Sequence, residues 1–275
     1  MQFPCSFHAA FLQHRIGPLG GAFGNWVSKS VLHLRAGAGL MFLAGLVPSG
    51  PVLAGTFVPP EGCTGYATVQ MKACTVSNHY TCEGDAPGDK WRADFGQNGL
   101  FFMSRIDSEA QWIESINLNP TVSEFLEPGA PDRASFSELL AKSEDTYNFS
   151  TKDEDGVRET VTGFDRLTGQ TVVIDGVTLQ QTQFDATATF DDGTLSWHSA
   201  GNEFIHPEWR LFLSGRGQWD GGDGEKLPYD STPVTFTFPG DSGFFSTQPL
   251  FGCDSMMSRA APGMRPGFVP DKNML

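Results

Sequence analysis

This sequence predicts an all-β fold: a long antiparallel meander curled into an open or closed barrel-like sheet, with one short helix near 136–142. Three observations predict it. Apolar and polar residues alternate with period two over several stretches. Asn-Gly and Asp-Gly pairs fall between such stretches. One segment alone carries strong helix-start chemistry.

The elements follow in order along 275 residues. Residues 1–30 are Gly- and Phe-rich without a repeating period, and are read as a dispensable extension. Translation is expected to begin near Val31 or Leu32, the alternative being an unusually long leader. Residues 31–54 read as a cleaved signal peptide. Arg35 precedes an apolar run that ends at Pro48-Ser49-Gly50, and Val52-Leu53-Ala54 is a small-x-small site, with the cut expected after Ala54. A permanent span would need about 20 apolar residues, and this run is interrupted sooner. Leu53-Ala54-Gly55 opens like a lipoprotein box, but Thr56 stands where the lipid-accepting thiol would be. The remaining chain, 55–275, is expected to be a single disulfide-braced domain, free in the periplasm or outside the cell. It should be unlipidated, with no membrane span after cleavage.

Charge narrows the partners. Residues 1–54 hold three of the 18 Lys+Arg and none of the 32 Asp+Glu, which leaves 15 basic against 32 acidic side chains, a net −17. Such a surface repels nucleic acid. Four cysteines remain, Cys63, Cys74, Cys82 and Cys253, and in an exported chain an even number argues for disulfides over zinc. The stretch Ala73–Cys82 is symmetric about Asn78. A turn there would pair Cys74 with Cys82 and leave Cys63 for Cys253.

Strand patterns begin at Tyr66. Ala67, Val69, Met71 and Ala73 alternate with Thr68, Gln70 and Lys72; Phe184, Ala186, Ala188 and Phe190 with Asp185, Thr187 and Thr189; Val234, Phe236 and Phe238 with Thr235 and Thr237. Asn98-Gly99, Asp175-Gly176 and Asp192-Gly193 supply turns of positive φ. Thr168-Gly169 and Gly221-Gly222-Asp223-Gly224 read as further connections, giving ten or more strands. Ser135-x-x-Glu138 is a capping box, followed by Phe136, Leu139 and Leu140 on one helical face. Thr121-x-x-Glu124 could cap another turn of helix, and the Pro- and acid-rich stretch 118–134 reads as a surface loop. A meander this long must curl to hide its edges, as a barrel or as a twisted sheet wrapped around the helix. The 23 Phe would fill that interior or line a cavity in it.

Candidate chemistry is scattered. Gly240-Asp241-Ser242-Gly243 resembles the nucleophile loop of the trypsin-like serine proteases, and His79 precedes Cys82 much as that family's histidine sits beside a disulfide. The resemblance covers about six residues and implies Ser242 as nucleophile with His79 as its base; the same four residues also suit a hairpin turn. His198, Glu203 and His206, with Glu208 nearby, offer imidazole and carboxylate ligands for zinc. Asp220, Asp223 and Glu225, and separately Asp153-Glu154-Asp155-Gly156, could hold calcium through oxygens. No other cofactor is expected. Trp197, Trp209, Trp219 and Tyr229 could line a sugar or lipid site, or simply pack across strands. The expectation is a binding or structural protein of the cell envelope. Its ligand would be a hydrophobic or amphipathic small molecule or an envelope component, and a secreted hydrolase is the alternative.

Overall fold

The structure, a computed structural model, describes residues 55–254. The N-terminal extension, the signal peptide and the cut after Ala54 lie outside the described residues, as do 255–275. Thirteen strands form one antiparallel sheet: β1 (Cys63–Met71), β2 (Thr75–Cys82), β3 (Lys90–Gly96), β4 (Gly99–Ile106), β5 (Trp112–Leu118), β6 (Thr121–Leu126), β7 (Glu144–Asp153), β8 (Arg158–Ile174), β9 (Val177–Phe190), β10 (Leu195–His206), β11 (Leu211–Asp220), β12 (Leu227–Asp230) and β13 (Pro233–Thr237). Each strand pairs with its neighbour in sequence from β1 to β12, and β13 lies on the free side of β1.

The ladder does not close, for β12 and β13 are its two ends. Yet only Ser231 and Thr232 separate them. Ser231 N donates to Gly215 O at 2.8 Å beside β11, and Lys72 N donates to Thr232 O at 3.1 Å beside β1. One segment thus leaves one edge and joins the other. The tip of the β8–β9 hairpin reaches the same place: the Asp175 carboxylate accepts the backbone N–H of Phe236 at 2.8 Å.

Turn chemistry works as the sequence predicts at the longest hairpin. Ile174 faces Val177, so Asp175 and Gly176 form a two-residue loop with φ of 48° and 79°. At β3–β4 the loop is Gln97-Asn98, and Gly99 (φ 102°) already pairs with Gly96. Helix α1 (Phe136–Lys142) starts at the predicted cap, where Ser135 Oγ accepts Glu138 N at 3.2 Å, and it stops at Ser143 in the left-handed region. Phe136 and Leu139 are buried, whereas Leu140 is 37% exposed. Both buried residues belong to a core cluster that also takes side chains from β1, β4, β9, β10, β11 and β13. The sheet therefore wraps around the helix. A second cluster gathers Tyr147, Phe149, Val161, Phe184, Ala186, Ala188, Trp197 and Trp219.

Four sequence expectations need correction. Residues 118–134 are not one loop: Leu118 pairs with Thr121 across Asn119-Pro120, and Thr121–Leu126 is strand β6, not a capped helix. Val122 and Phe125 suit a pleated surface better than a helical one. Thr168-Gly169 is an irregularity inside β8, where pairing skips from Leu167 to Thr171.

The disulfides are Cys63–Cys82 and Cys74–Cys253, so both expected pairings are overturned. Thr75–Cys82 is a single strand, which puts Cys74 and Cys82 eight extended residues apart, roughly 26 Å. No disulfide spans that. The reversal comes earlier, at Lys72-Ala73-Cys74, with Cys74 at φ 53°. Cys63 and Cys82 then face each other across β1 and β2, with Cα atoms 3.9 Å apart.

Cys253 anchors a C-terminal strap, residues 238–253, along one side of β1 and β2. Gln70 bonds Gln248 O and Leu250 N, Asn78 Nδ2 donates to Ser246 O, and Thr68 Oγ accepts Phe245 N. Gly252 passes so close to Lys72 that a Cβ would lie 1.6 Å from that carbonyl oxygen. No helix among the described residues is long and apolar enough to cross a membrane.

Candidate ligand-binding cleft

Two hairpin ends and the chain beyond β13 converge on a cleft of about 590 Å³ lined by 175–178, 206–209 and Phe238. The β10–β11 turn is held by its own side chains. Trp209 N donates to His206 Nδ1 at 3.2 Å, and the two rings stack with centroids 3.8 Å apart and planes 9° from parallel. Accepting that bond places the neutral imidazole's proton on Nε2. Burial lowers the His206 pKa, against a smaller opposing pull from the Glu208 charge. Behind Trp209 stand Phe238 at 5.9 Å, Phe236 at 6.3 Å and Tyr66 at 6.4 Å between ring centroids. The cleft thus has an apolar wall of Trp209, Phe238, Val177 and Pro207, with Asp175, Thr178, His206 and Glu208 as its polar members.

Of the residues singled out from sequence, Trp209, His206 and Glu208 meet here. The other zinc candidates do not join them. His198 bonds Asp185 at 3.0 Å, and Glu203 is buried at 2% exposure among other neighbours. Among the described residues no group of three or more His, Cys, Asp or Glu is arranged to hold a metal ion. Asp220 and Asp223 instead organise their loop: Asp220 Oδ1 accepts Gly222 N and Gly224 N at 2.9 and 3.0 Å, and Asp223 accepts Glu225 N at 2.9 Å. Asp153 closes its own turn by accepting Val157 N at 2.8 Å.

Ser242 and His79 are not brought together. Ser242 is exposed in the turn that opens the strap, where Asp241 accepts Phe238 N at 2.9 Å. The strap lies on the side of β2 that Asn78 faces. His79, the next residue, points the other way. It is fully buried beside Tyr66, and both ring nitrogens lack a hydrogen-bond partner. Burial, reinforced by the Arg92 charge, lowers its pKa to about 3, so it is neutral at any physiological pH.

The other tryptophans lie inside the curl. Trp197 and Trp219 stack with centroids 5.5 Å apart, and Tyr229 and Ser199 share a hydrogen bond of 3.3 Å. Trp197 Nε1 and Ser196 Oγ both donate to Glu159, at 3.2 and 2.5 Å. Sequence reading missed Glu159 and took Glu124 only for a helix cap, because nothing local marks two carboxylates 35 residues apart as neighbours. Burial first, and the Glu159 charge second, push Glu124 up to about 7.

This has a measurable sign. A carboxyl raised from its usual 4.5 to about 7 binds an extra proton in the folded state between those values, so stability falls as pH rises through that window. Glu124→Gln removes the loss. The free energy of unfolding in urea should nearly match wild type at pH 4.5 and exceed it at pH 8, by on the order of 1 kcal/mol after allowance for partial exposure. Parallel pH profiles for the two proteins would overturn this.

No protein-family model matches this chain, and no curated protein and no solved structure matches it either.

Proposed function

We propose that this chain is an exported binding protein of the cell envelope, which holds the apolar part of an amphipathic small molecule against Trp209 in the cleft. One observation carries the reading. A cleft of about 590 Å³ falls in the size range of small-ligand sites, roughly 300–1,000 Å³, and it combines an aromatic wall with a few polar groups. That division suits a ligand with one apolar and one polar end. Support for export comes from the two disulfides, crosslinks that persist in oxidising compartments, and from the acidic surface. The hydrolase reading has no comparable support, since its two residues stand apart.

The test is titration with N-phenyl-1-naphthylamine, a probe that fluoresces in apolar sites. Wild type should give saturable enhancement. Trp209→Ala should weaken binding about tenfold, the equivalent of roughly 1.4 kcal/mol, while Val58→Ala, an exposed position outside the cleft, should change nothing. Absence of saturable binding, or equal affinity in the Trp209 variant, would remove the cleft as the site.

A further inference from the structure

A second feature lies on the concave side of the sheet. Pairing registers place five side chains on one face. Asp145 on β7 stands opposite Asp165 on β8, and Tyr147 stands opposite Gly163, two residues from Asp165. Leu167, two residues from Asp165 on its other side, faces Thr182 on β9, and Thr182 faces Glu203 on β10. Steps of two keep all five on the same face, the one that also carries Phe149, Val161 and Phe184 of the second core cluster. All are buried: Thr182 at 0% exposure, Asp165 at 1%, Tyr147 and Glu203 at 2%, Asp145 at 5%.

Several of these groups lack partners. Both carboxylate oxygens of Asp165, the Tyr147 hydroxyl and the Thr182 hydroxyl make no hydrogen bond. Asp145, by contrast, accepts the backbone N–H of Ser135 at 2.9 Å. Among the described residues, the charges that bear on Tyr147 and Asp165 are all acidic: Asp145 on β7, Asp165 on β8, Asp185 on β9 and Glu203 on β10. Asp185 is in turn bonded to His198. Glu138 on the helix adds its charge to Asp145. Polar groups buried without partners cost roughly 1–3 kcal/mol each, and more when charged, so three together are seldom left that way.

We propose that this face binds the primary ammonium group of an amine-bearing ligand. Asp165 supplies the countercharge, and the hydroxyl oxygens of Tyr147 and Thr182 accept the remaining N–H bonds. An ammonium offers three donors and no acceptor, which complements one carboxylate and two hydroxyl oxygens. A metal ion fits less well, because no metal-holding group of His, Cys, Asp or Glu occurs among the described residues. Burial, and then the neighbouring Glu203 and Asp145 charges, raise the Asp165 pKa well above its usual range. An ammonium pairs with the ionised carboxylate, so binding strengthens as pH rises. The site is separate from the cleft at Trp209.

The probe is n-hexylamine, followed by titration calorimetry on the full chain at a series of pH values. Wild type should bind it saturably at pH 8 and more weakly at lower pH. Hexan-1-ol should bind at least tenfold more weakly. Asp165→Asn should lose at least tenfold in amine affinity with an undiminished urea midpoint, and Trp209→Ala should leave the affinity unchanged. If Asp165→Asn does not fold, Tyr147→Phe and Thr182→Val carry the test, each expected to weaken binding threefold or more. Failure of wild type to bind hexylamine, equal binding of hexanol, or unchanged affinity in the folded variants would each overturn the proposal.

Discussion

Replacing Cys74 and Cys253 together by serine should lower the free energy of unfolding by roughly 3–5 kcal/mol, the larger loss of the two disulfides. The bond joins residues 179 apart, whereas Cys63–Cys82 closes a separation of 19. On the chain-entropy treatment those loops correspond to about 5 and about 3 kcal/mol. The native contacts around Cys253 argue the same way. The strap stays attached through Gln70, Asn78 and Thr68 when the sulfurs are removed, so most of the effect falls on the unfolded chain, which regains freedom. Urea unfolding of the two double variants compares them directly. A Cys63/Cys82 variant that is the less stable of the pair would show that local geometry outweighs loop length here.

Phe136→Ala should cost about 3–5 kcal/mol, as large aromatic-to-alanine changes in cores do. The ring is 1% exposed, packs edge-on to Phe212 with centroids 5.4 Å apart, and lies under the Arg210 guanidinium at 4.9 Å. That arginine also holds Glu109 at 2.7 Å, and Glu109 accepts Ser137 N and the hydroxyls of Ser135 and Ser137. Removing the ring leaves a void where the sheet closes on the helix, and loosens the helix start with it. Chemical denaturation should show the drop, while Leu140→Ala on the exposed side of the same helix should change stability by less than about 1 kcal/mol. Equal effects from the two variants would contradict the buried placement.

How far the sequence revealed this fold depended on whether each strand has one wet face. β9 does: Phe184, Ala186 and Ala188 are buried and their neighbours are less so, and its alternation is plain. β2 does not. Thr75 to Tyr80 are all buried, one side by the core and the other by the strap, so no period survives and Asn78 reads as a turn. In fact Asn78 accepts from Thr68 Oγ at 2.7 Å in mid-strand. The wrong disulfide pairing followed from that one residue. Local chemistry was legible where it acts locally, in Asp175-Gly176 and in the Ser135 cap. The cleft was half legible: Trp209, His206 and Glu208 are neighbours in sequence, but Asp175, Val177 and Phe238 arrive only through tertiary folding. Asp165 and Thr182 carry no local signal, because their meaning lies in what they fail to touch.

The handover at Ser231-Thr232 has a consequence in time. β1 is synthesised among the first strands, yet its second neighbour, β13, is made some 160 residues later. At synthesis rates of roughly 5–20 residues per second, the edge of β1 stays bare for on the order of ten seconds or more. Pairings so distant along the chain form slowly even once both partners exist. Among the described residues, the sheet cannot be completed until β13, the last of the thirteen strands, is delivered. Until β13 arrives, that edge of β1 presents unpaired N–H and C=O groups to any other strand it meets.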